Sequence, residues 1–447
     1  MSSLVSRRRF LKQSALAGVT ILVGPGLAKT YAANEKLGLA HIATGGQGGS
    51  HLGLSDSNNC IALCDVDRTR LAGAAQQFPG AATYEDFRKM FDEKAKEIDA
   101  VIVSTPDHHH APASLRAVRL GKAVYCEKPL TWSVREARLM ADETRKYKVA
   151  TQMGNQGHAN SENRLIVEFI QSGAIGTVKE VHTWTNRPVW PQGITKRPPS
   201  KPVPDNLNWD CWIGAAPFRE FHDGLHPFAW RGWIPFGCGA IGDMGCHTWD
   251  CVWWSMAPDA PKTAEVICAD GRNDETFPSR MIVKWEFAAK GNRPAFDAYW
   301  YEGGLRPDVP EELASDPRLQ GKKPNLGGSG SLFIGTKGKL LAKGDYGGTP
   351  LLLGEAKDWE RIPGRAIELS PGHHEEWIMA AKGEKPWDYP KSNFLYSGPL
   401  VEAMLLGNVA LLANEKIAWD SKNLRITNSP KANRFLGREV YRKGWEI

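Results

Sequence analysis

The sequence predicts two domains: a doubly wound parallel α/β domain over residues 34–153, then a mostly antiparallel, open-sheet α+β domain over 154–447. Three observations carry this. The 447 residues exceed what one ordinary core organises. Up to residue 153, short continuous apolar runs alternate with helical stretches, the pattern of strands buried on both faces. Beyond it, Val178–Trp184 and Met281–Phe287 alternate with period two, as strands with one buried face do.

The first 33 residues stand apart. Ser6-Arg7-Arg8-Arg9-Phe10-Leu11-Lys12 precedes an apolar stretch from Ala15 to Leu27, with small residues at Ala28 and Ala32. This layout resembles a bacterial twin-arginine export signal, which implies the twin-arginine machinery as a partner and a periplasmic or exported protein, membrane-anchored if uncleaved. Five of the 56 Lys and Arg residues lie in this segment, leaving 51 basic against 50 acidic residues. That balance offers no footprint for nucleic acid. The 42% hydrophobic and 24% charged composition is that of a soluble globular protein, and no internal apolar run approaches bilayer length. The eight cysteines form no C-x-x-C pair or zinc-type spacing, so no metal is expected; buried free thiols suit a chain that folds before export.

The first strand, Leu37–Ala43, runs into Thr44-Gly45-Gly46-Gln47-Gly48-Gly49, with a helix expected after it. Cys60–Cys64 is the second strand, ending at Asp65; Ala100–Thr105 is the third core strand, ended by Pro106; Ala123–Cys126 follows, and Val149–Met153 closes the domain. Later, Leu332–Gly335 and Lys339–Ala342 flank Thr336-Lys337-Gly338 as a hairpin, Pro188–Phe236 is loop-rich, and a helix is expected over Pro399–Ala413, in a C-terminal segment that packs back on the first domain.

A Rossmann turn needs glycines for a tight bend, for close approach to the pyrophosphate and for helix–strand packing. Gly45, Gly46, Gln47 and Gly48 supply it here, with Ala43 where the first glycine is usual. Asp65 stands about 20 residues on, where the fingerprint places an acid that accepts both ribose hydroxyls and favours NAD over NADP. Arg68 and Arg70 soften that preference, and an ordinary strand-end carboxylate is the plain alternative. Thr105, Pro106 and His109 follow one strand end, and Glu127-Lys128-Pro129 another, where open α/β sheets bind ligands.

Together with Gly239–His247, these motifs resemble the Gfo/Idh/MocA (glucose–fructose oxidoreductase/inositol dehydrogenase) family. The resemblance implies an NAD(P)-dependent oxidoreductase acting on a hydroxyl or carbonyl of a sugar, glycoside or polyol. It implies cofactor contacts from Glu127 and Lys128 and a catalytic site of Lys128, Asp243 and His247. Some members resembling this family are NAD-dependent glycosidases that work by oxidation, elimination and hydration; a non-catalytic sugar-binding protein is the alternative of another class. If Asp243–His247 is helical, the i, i+4 spacing puts both on one face. His247 can take a hydroxyl proton and Lys128 can stabilise alkoxide charge.

Nine of the seventeen tryptophans fall between Trp184 and Trp254. Flat aromatic faces suit sugar rings, so Trp190, Trp230 and Trp233, with Arg187 and Arg231, are substrate candidates, as are Asn155 and His158. Loop packing is the alternative for most of the tryptophans. The open sheet suits a homo-oligomer.

Overall fold

Residues 36–319, 323–359 and 367–447 are described by a computed structural model. The export-signal reading of residues 1–33 lies outside the described residues.

Six strands form the first sheet: β1 Gly38–Ile42, β2 Asn59–Cys64, β3 Ala82–Tyr84, β4 Ala100–Val103, β5 Ala123–Cys126 and β6 Thr151–Met153. Their order is β3-β2-β1-β4-β5-β6, every pair parallel. β1, β4 and β5 are buried at every residue, as apolar runs covered by helices on both faces must be. Side chains start the covering helices: Asp67 caps Arg68–Gln77, Asp86 caps Phe87–Lys94, and Ser133 with Glu136 makes a capping box for Val134–Tyr147. The helix after the glycine turn is short, Gln47–His51, and passes into a tighter turn over Leu52–Ser55.

The second sheet holds β7 Val178–Trp184, β8 Thr263–Asp270, β9 Arg280–Phe287, β10 Phe296–Glu302, β11 Gly330–Gly335, β12 Lys339–Lys343, β13 Leu351–Leu353, β14 Ile417–Asp420 and β15 Arg425–Ile426. In the order β13-β12-β11-β7-β10-β9-β8-β14-β15, only β7 and β10 run parallel. One face packs on helices Gly239–Thr248 and Phe394–Ala413; Lys284, Asp297, Tyr299 and Glu180 lie half-buried on the other.

The Phe394–Ala413 helix also packs on Val134–Tyr147, tying the sheets together. Gly398 makes this possible: a Cβ there would stand 2.9 Å from the Ala141 Cβ. The helix begins five residues before the expected Pro399, because Asn393 caps it at Leu395 and Tyr396. Interior proline costs about 3 kcal/mol, offset here by the burial of a nearly all-apolar helix. Its 20 residues are long and apolar enough to cross a membrane, contrary to the sequence expectation, yet 78% of the apolar window is buried inside the fold.

Residues 188–236 carry little regular structure but have a core of their own, including Trp209, Trp212, Phe221, Leu225, Trp230 and Trp233. This lobe docks on the first domain through backbone bonds from Arg68 to Asn206 and from Asn208 to Val66, both 2.8 Å. His108 sits between the carbonyls of Trp212, at 2.9 Å, and Phe236, at 3.2 Å. Residues 437–447 return to the first domain too, where Trp445 packs edge-on against Phe87 and His109. All eight cysteines are free thiols, six of them buried.

Candidate active site and cofactor cleft

A cleft of about 520 Å³ runs along the C-terminal ends of the parallel strands, between them and the 188–236 lobe. Its lining combines Gly45, Gly46, Gln47, Asp65, Thr105, Pro106, His109, Glu127, Lys128 and Asp243 with Trp230 and Arg231. The strand ends, the lobe and the Gly239–Thr248 helix bring these residues together although they lie almost 200 positions apart in the chain.

The turn is built for close approach. Gly46 has φ +56° and ψ −124°, a conformation open essentially only to glycine. Gly48 lies behind the cleft wall, where a Cβ would stand 2.2 Å from the Ala43 carbonyl oxygen; the helix therefore packs directly on the strand end. Ala43 occupies the left-handed region at φ +71°, which explains why glycine is usual at that position. The Arg70 side chain crosses Gly45 so closely that a Cβ there would meet Arg70 Cδ at 2.3 Å. Arg68, in contrast, is held away by Glu85 at 2.7 Å. Asp65 accepts from the Thr44 amide at 2.8 Å and the Asp67 amide at 2.9 Å, which fixes its carboxylate at the cleft edge.

The residues fit a dinucleotide. Besides the bare glycine turn, Ser104 Oγ, Thr105 Oγ1 and His109 Nδ1 are buried without a hydrogen-bond partner among the described residues, and all three residues line the cleft. Buried polar atoms are rarely left unsatisfied, so orphans grouped in a cavity mark a ligand's place.

At the far end, Lys128 Nζ donates to Asp243 Oδ1 at 2.8 Å and to the Asp243 carbonyl at 2.9 Å. The Gly239–Thr248 helix carries Asp243 and His247, four residues apart as the sequence predicts. Burial works against the Lys128 charge, but the Asp243 carboxylate outweighs it and raises the ammonium above its ordinary value. Burial likewise opposes the Asp243 charge, and Lys128 and Arg231 overcome it, so this carboxyl titrates below its usual range. Arg231 Nε lies 3.5 Å from Asp243, its guanidinium over Trp230 and Phe228 at 4.3 and 4.6 Å. His247 is buried, which with the Lys128 charge drives its imidazole well below the ordinary value and keeps it neutral. Its Nδ1 has no partner among the described residues, and Tyr346 stands perpendicular to its ring at 4.6 Å. Glu127 Oε1 lies 2.8 Å from His51 Nε2.

Several candidates lie elsewhere. Trp233 is fully buried in the lobe core and donates to the Gly224 carbonyl at 2.7 Å, so it packs rather than lines the cleft. Trp190 is buried behind Arg231, 5.9 Å from its guanidinium, with its indole N–H on Gln192. Asn155 accepts from Ser392 at 2.6 Å, and His158 pairs with Asp250 at 2.9 Å while stacked on Trp254. Arg187 pairs with Asp345 at 3.2 Å, beside Tyr346.

Sequence reasoning passed over Asp107, Phe87, Trp212 and Trp445, all on the cleft wall. Asp107 is buried and accepts from the Cys238 amide at 2.9 Å; burial, countered in part by Arg231 and Lys128, pushes its carboxyl up to about 7. Its place directly after Ser104-Thr105-Pro106 was a usable signal. For Trp445 the sequence offers none.

Residues 36–155 match an oxidoreductase family with an NAD-binding Rossmann fold (Gfo/Idh/MocA), and residues 161–288 match the C-terminal alpha/beta domain of that family. An inositol 2-dehydrogenase of Rubrobacter xylanophilus is 29% identical over 36% of this chain and 47% of its own length. The rhizopine catabolism protein MocA of Rhizobium meliloti is 28% identical over 49% of this chain and 56% of its own. The chain thus spans about half the length of these curated relatives. Among solved structures, the WlbA dehydrogenase from Chromobactrium violaceum, in complex with NADH and UDP-GlcNAcA, superposes with a TM-score of 0.61 at 17% identity, covering 88% of this chain and 99% of that one. An aldose-aldose oxidoreductase from Caulobacter crescentus, complexed with glycerol, gives 0.56 at 15%, covering 86% and 100%. With the two family matches covering more than half of its residues, this chain belongs to the Gfo/Idh/MocA oxidoreductase family, and its first domain binds NAD.

Proposed function

We propose that this protein oxidises or reduces a hydroxyl/carbonyl carbon of a sugar, glycoside or polyol with a retained NAD, and that it is exported by a twin-arginine signal. The observation that carries the chemistry is the Lys128–Asp243 ion pair, 2.8 Å long, at the end of the cleft away from Asp65. NAD supplies the hydride acceptor or donor.

The chain's own residues do the rest. Lys128 remains a cation at neutral pH, so it serves as a donor to the reacting oxygen and stabilises alkoxide charge rather than acting as a base. Neutral His247 can accept the hydroxyl proton, and the imidazolium so formed is stabilised by the Asp243 carboxylate one helical turn away. Asp243 meanwhile fixes the direction of the Lys128 ammonium. Arg231, which lines the cleft, and Tyr346, beside the His247 ring, are the groups available to substrate hydroxyls.

The lobe and the 437–447 segment roof the cleft. This supports a reaction that returns the cofactor to its starting state, either through a second substrate or within one glycosidase cycle of oxidation, elimination and hydration. Denaturing the purified protein and identifying the released nucleotide tests the cofactor claim; finding none, with no uptake of added NAD, refutes it. Product analysis across a sugar and polyol panel then separates a keto product from a released monosaccharide without net NADH. Fractionation of cells carrying Arg7→Lys and Arg8→Lys variants tests export.

A further inference from the structure

One wall of the cleft is not made by the dinucleotide domain alone. Trp445 forms an aromatic corner there with Phe87 and His109; its ring centroid is 5.6 Å from each, and those two rings stand 6.1 Å apart, all edge-on. All three residues line the cleft, and His109 Nδ1 is the buried atom left without a partner among the described residues. Burial holds the His109 imidazole neutral, near 4; its Nε2–H donates to the Trp212 carbonyl at 2.8 Å, which leaves Nδ1 as an uncharged acceptor.

The indole is held firmly from behind. The Arg88 guanidinium lies 3.7 Å from its centroid, itself fixed by Asp86 at 2.7 Å and by the Gly444 carbonyl at 2.8 Å. Tyr441 donates to Glu136 at 3.1 Å, and Arg442 binds the Asp210 carboxylate and the Gly214 carbonyl, so the segment is anchored to both the first domain and the lobe.

With the pyrophosphate over Gly45–Gly46 and a ribose at Asp65, the base of a dinucleotide falls beyond Asp65, on the side away from Lys128. We propose that Trp445, with Phe87 and His109, forms a base-binding subsite that holds the adenine of the cofactor. The 437–447 segment then sets how slowly the nucleotide leaves. An aromatic wall and an uncharged acceptor nitrogen match an adenine, which offers an apolar ring and an exocyclic amine that donates. The inference rests on a dinucleotide occupying the cleft.

The test measures equilibrium binding and release of NAD, ADP-ribose and nicotinamide mononucleotide by the full chain. Loss of the aromatic contact with the base in Trp445→Ala is expected to weaken NAD and ADP-ribose about tenfold or more and to speed NAD release accordingly. Nicotinamide mononucleotide affinity should stay unchanged, which a merely structural role for Trp445 would not give. Trp445→Leu keeps apolar bulk without the aromatic face and is expected to lose several-fold, and it serves if the alanine variant does not fold. Wild-type affinity for ADP-ribose in both folded variants, or an equal loss for all three ligands, overturns the subsite. No binding of NAD or ADP-ribose by the wild type overturns the cofactor reading itself, a distinguishable outcome.

Discussion

Replacing Glu302 by Gln isolates the energetics of one buried carboxyl at the end of β10. Its Oε2 accepts from Trp300 Nε1 at 2.7 Å, while Oε1 has no partner among the described residues. Burial is the main cause of its displacement and raises it from 4.5 to about 8. Between those two values the folded state holds a proton that the unfolded state has released, so stability falls as pH rises through the window. At 1.36 kcal/mol per pH unit the full penalty is roughly 3–5 kcal/mol, the lower figure allowing for relaxation around the charge. Glutamine keeps the acceptor for Trp300 and has no charge to bury. Denaturant unfolding at pH 5 and pH 9 should therefore find the two proteins within about 1 kcal/mol at the lower pH and Glu302→Gln more stable by several kcal/mol at the higher. A difference independent of pH would refute the assignment of a neutral buried acid.

Other expectations follow from the site. Ala43→Gly relieves a left-handed alanine and should stabilise the protein by about 1 kcal/mol in thermal unfolding, with NAD affinity kept or improved; destabilisation would contradict the strain. Lys128→Ala should lower kcat about 10²–10³-fold when measured at saturating NAD. Asp107, raised by burial to about 7 against the pull of Arg231 and Lys128, should give the rate an ionisation near neutrality that Asp107→Asn abolishes, visible in the pH profile of kcat/KM.

The parallel sheet was legible because β1, β2, β4 and β5 each form a local apolar run ending at turn residues, and because their strand ends gather the chemistry that the fingerprint spaces. Asp243 and His247 were legible as a pair, since helical periodicity needs no tertiary information. The 188–236 lobe was legible only as loop-rich. Its tryptophans looked alike in sequence, yet Trp230 lines the cleft while Trp233 fills the lobe core, a difference set by contacts across the lobe. Pro399 suggested a helix start because local chemistry disfavours an interior proline; burial of the whole Phe394–Ala413 helix overrode it. Trp445 was invisible, lying more than 330 positions from the His109 ring it touches.

That separation bears on how the protein comes into being. The glycine turn, the Trp212 wall and Trp445 enter synthesis at widely different times, and pairings between distant residues form slowly because loop-closure entropy precedes their reward. A nascent chain that has emitted only the first domain can form the parallel sheet but presents a half-built trough to the nucleotide. The nucleotide cleft is therefore complete only after residue 445 has been made and has packed back on the first domain, which makes a fully formed site a late event in biogenesis.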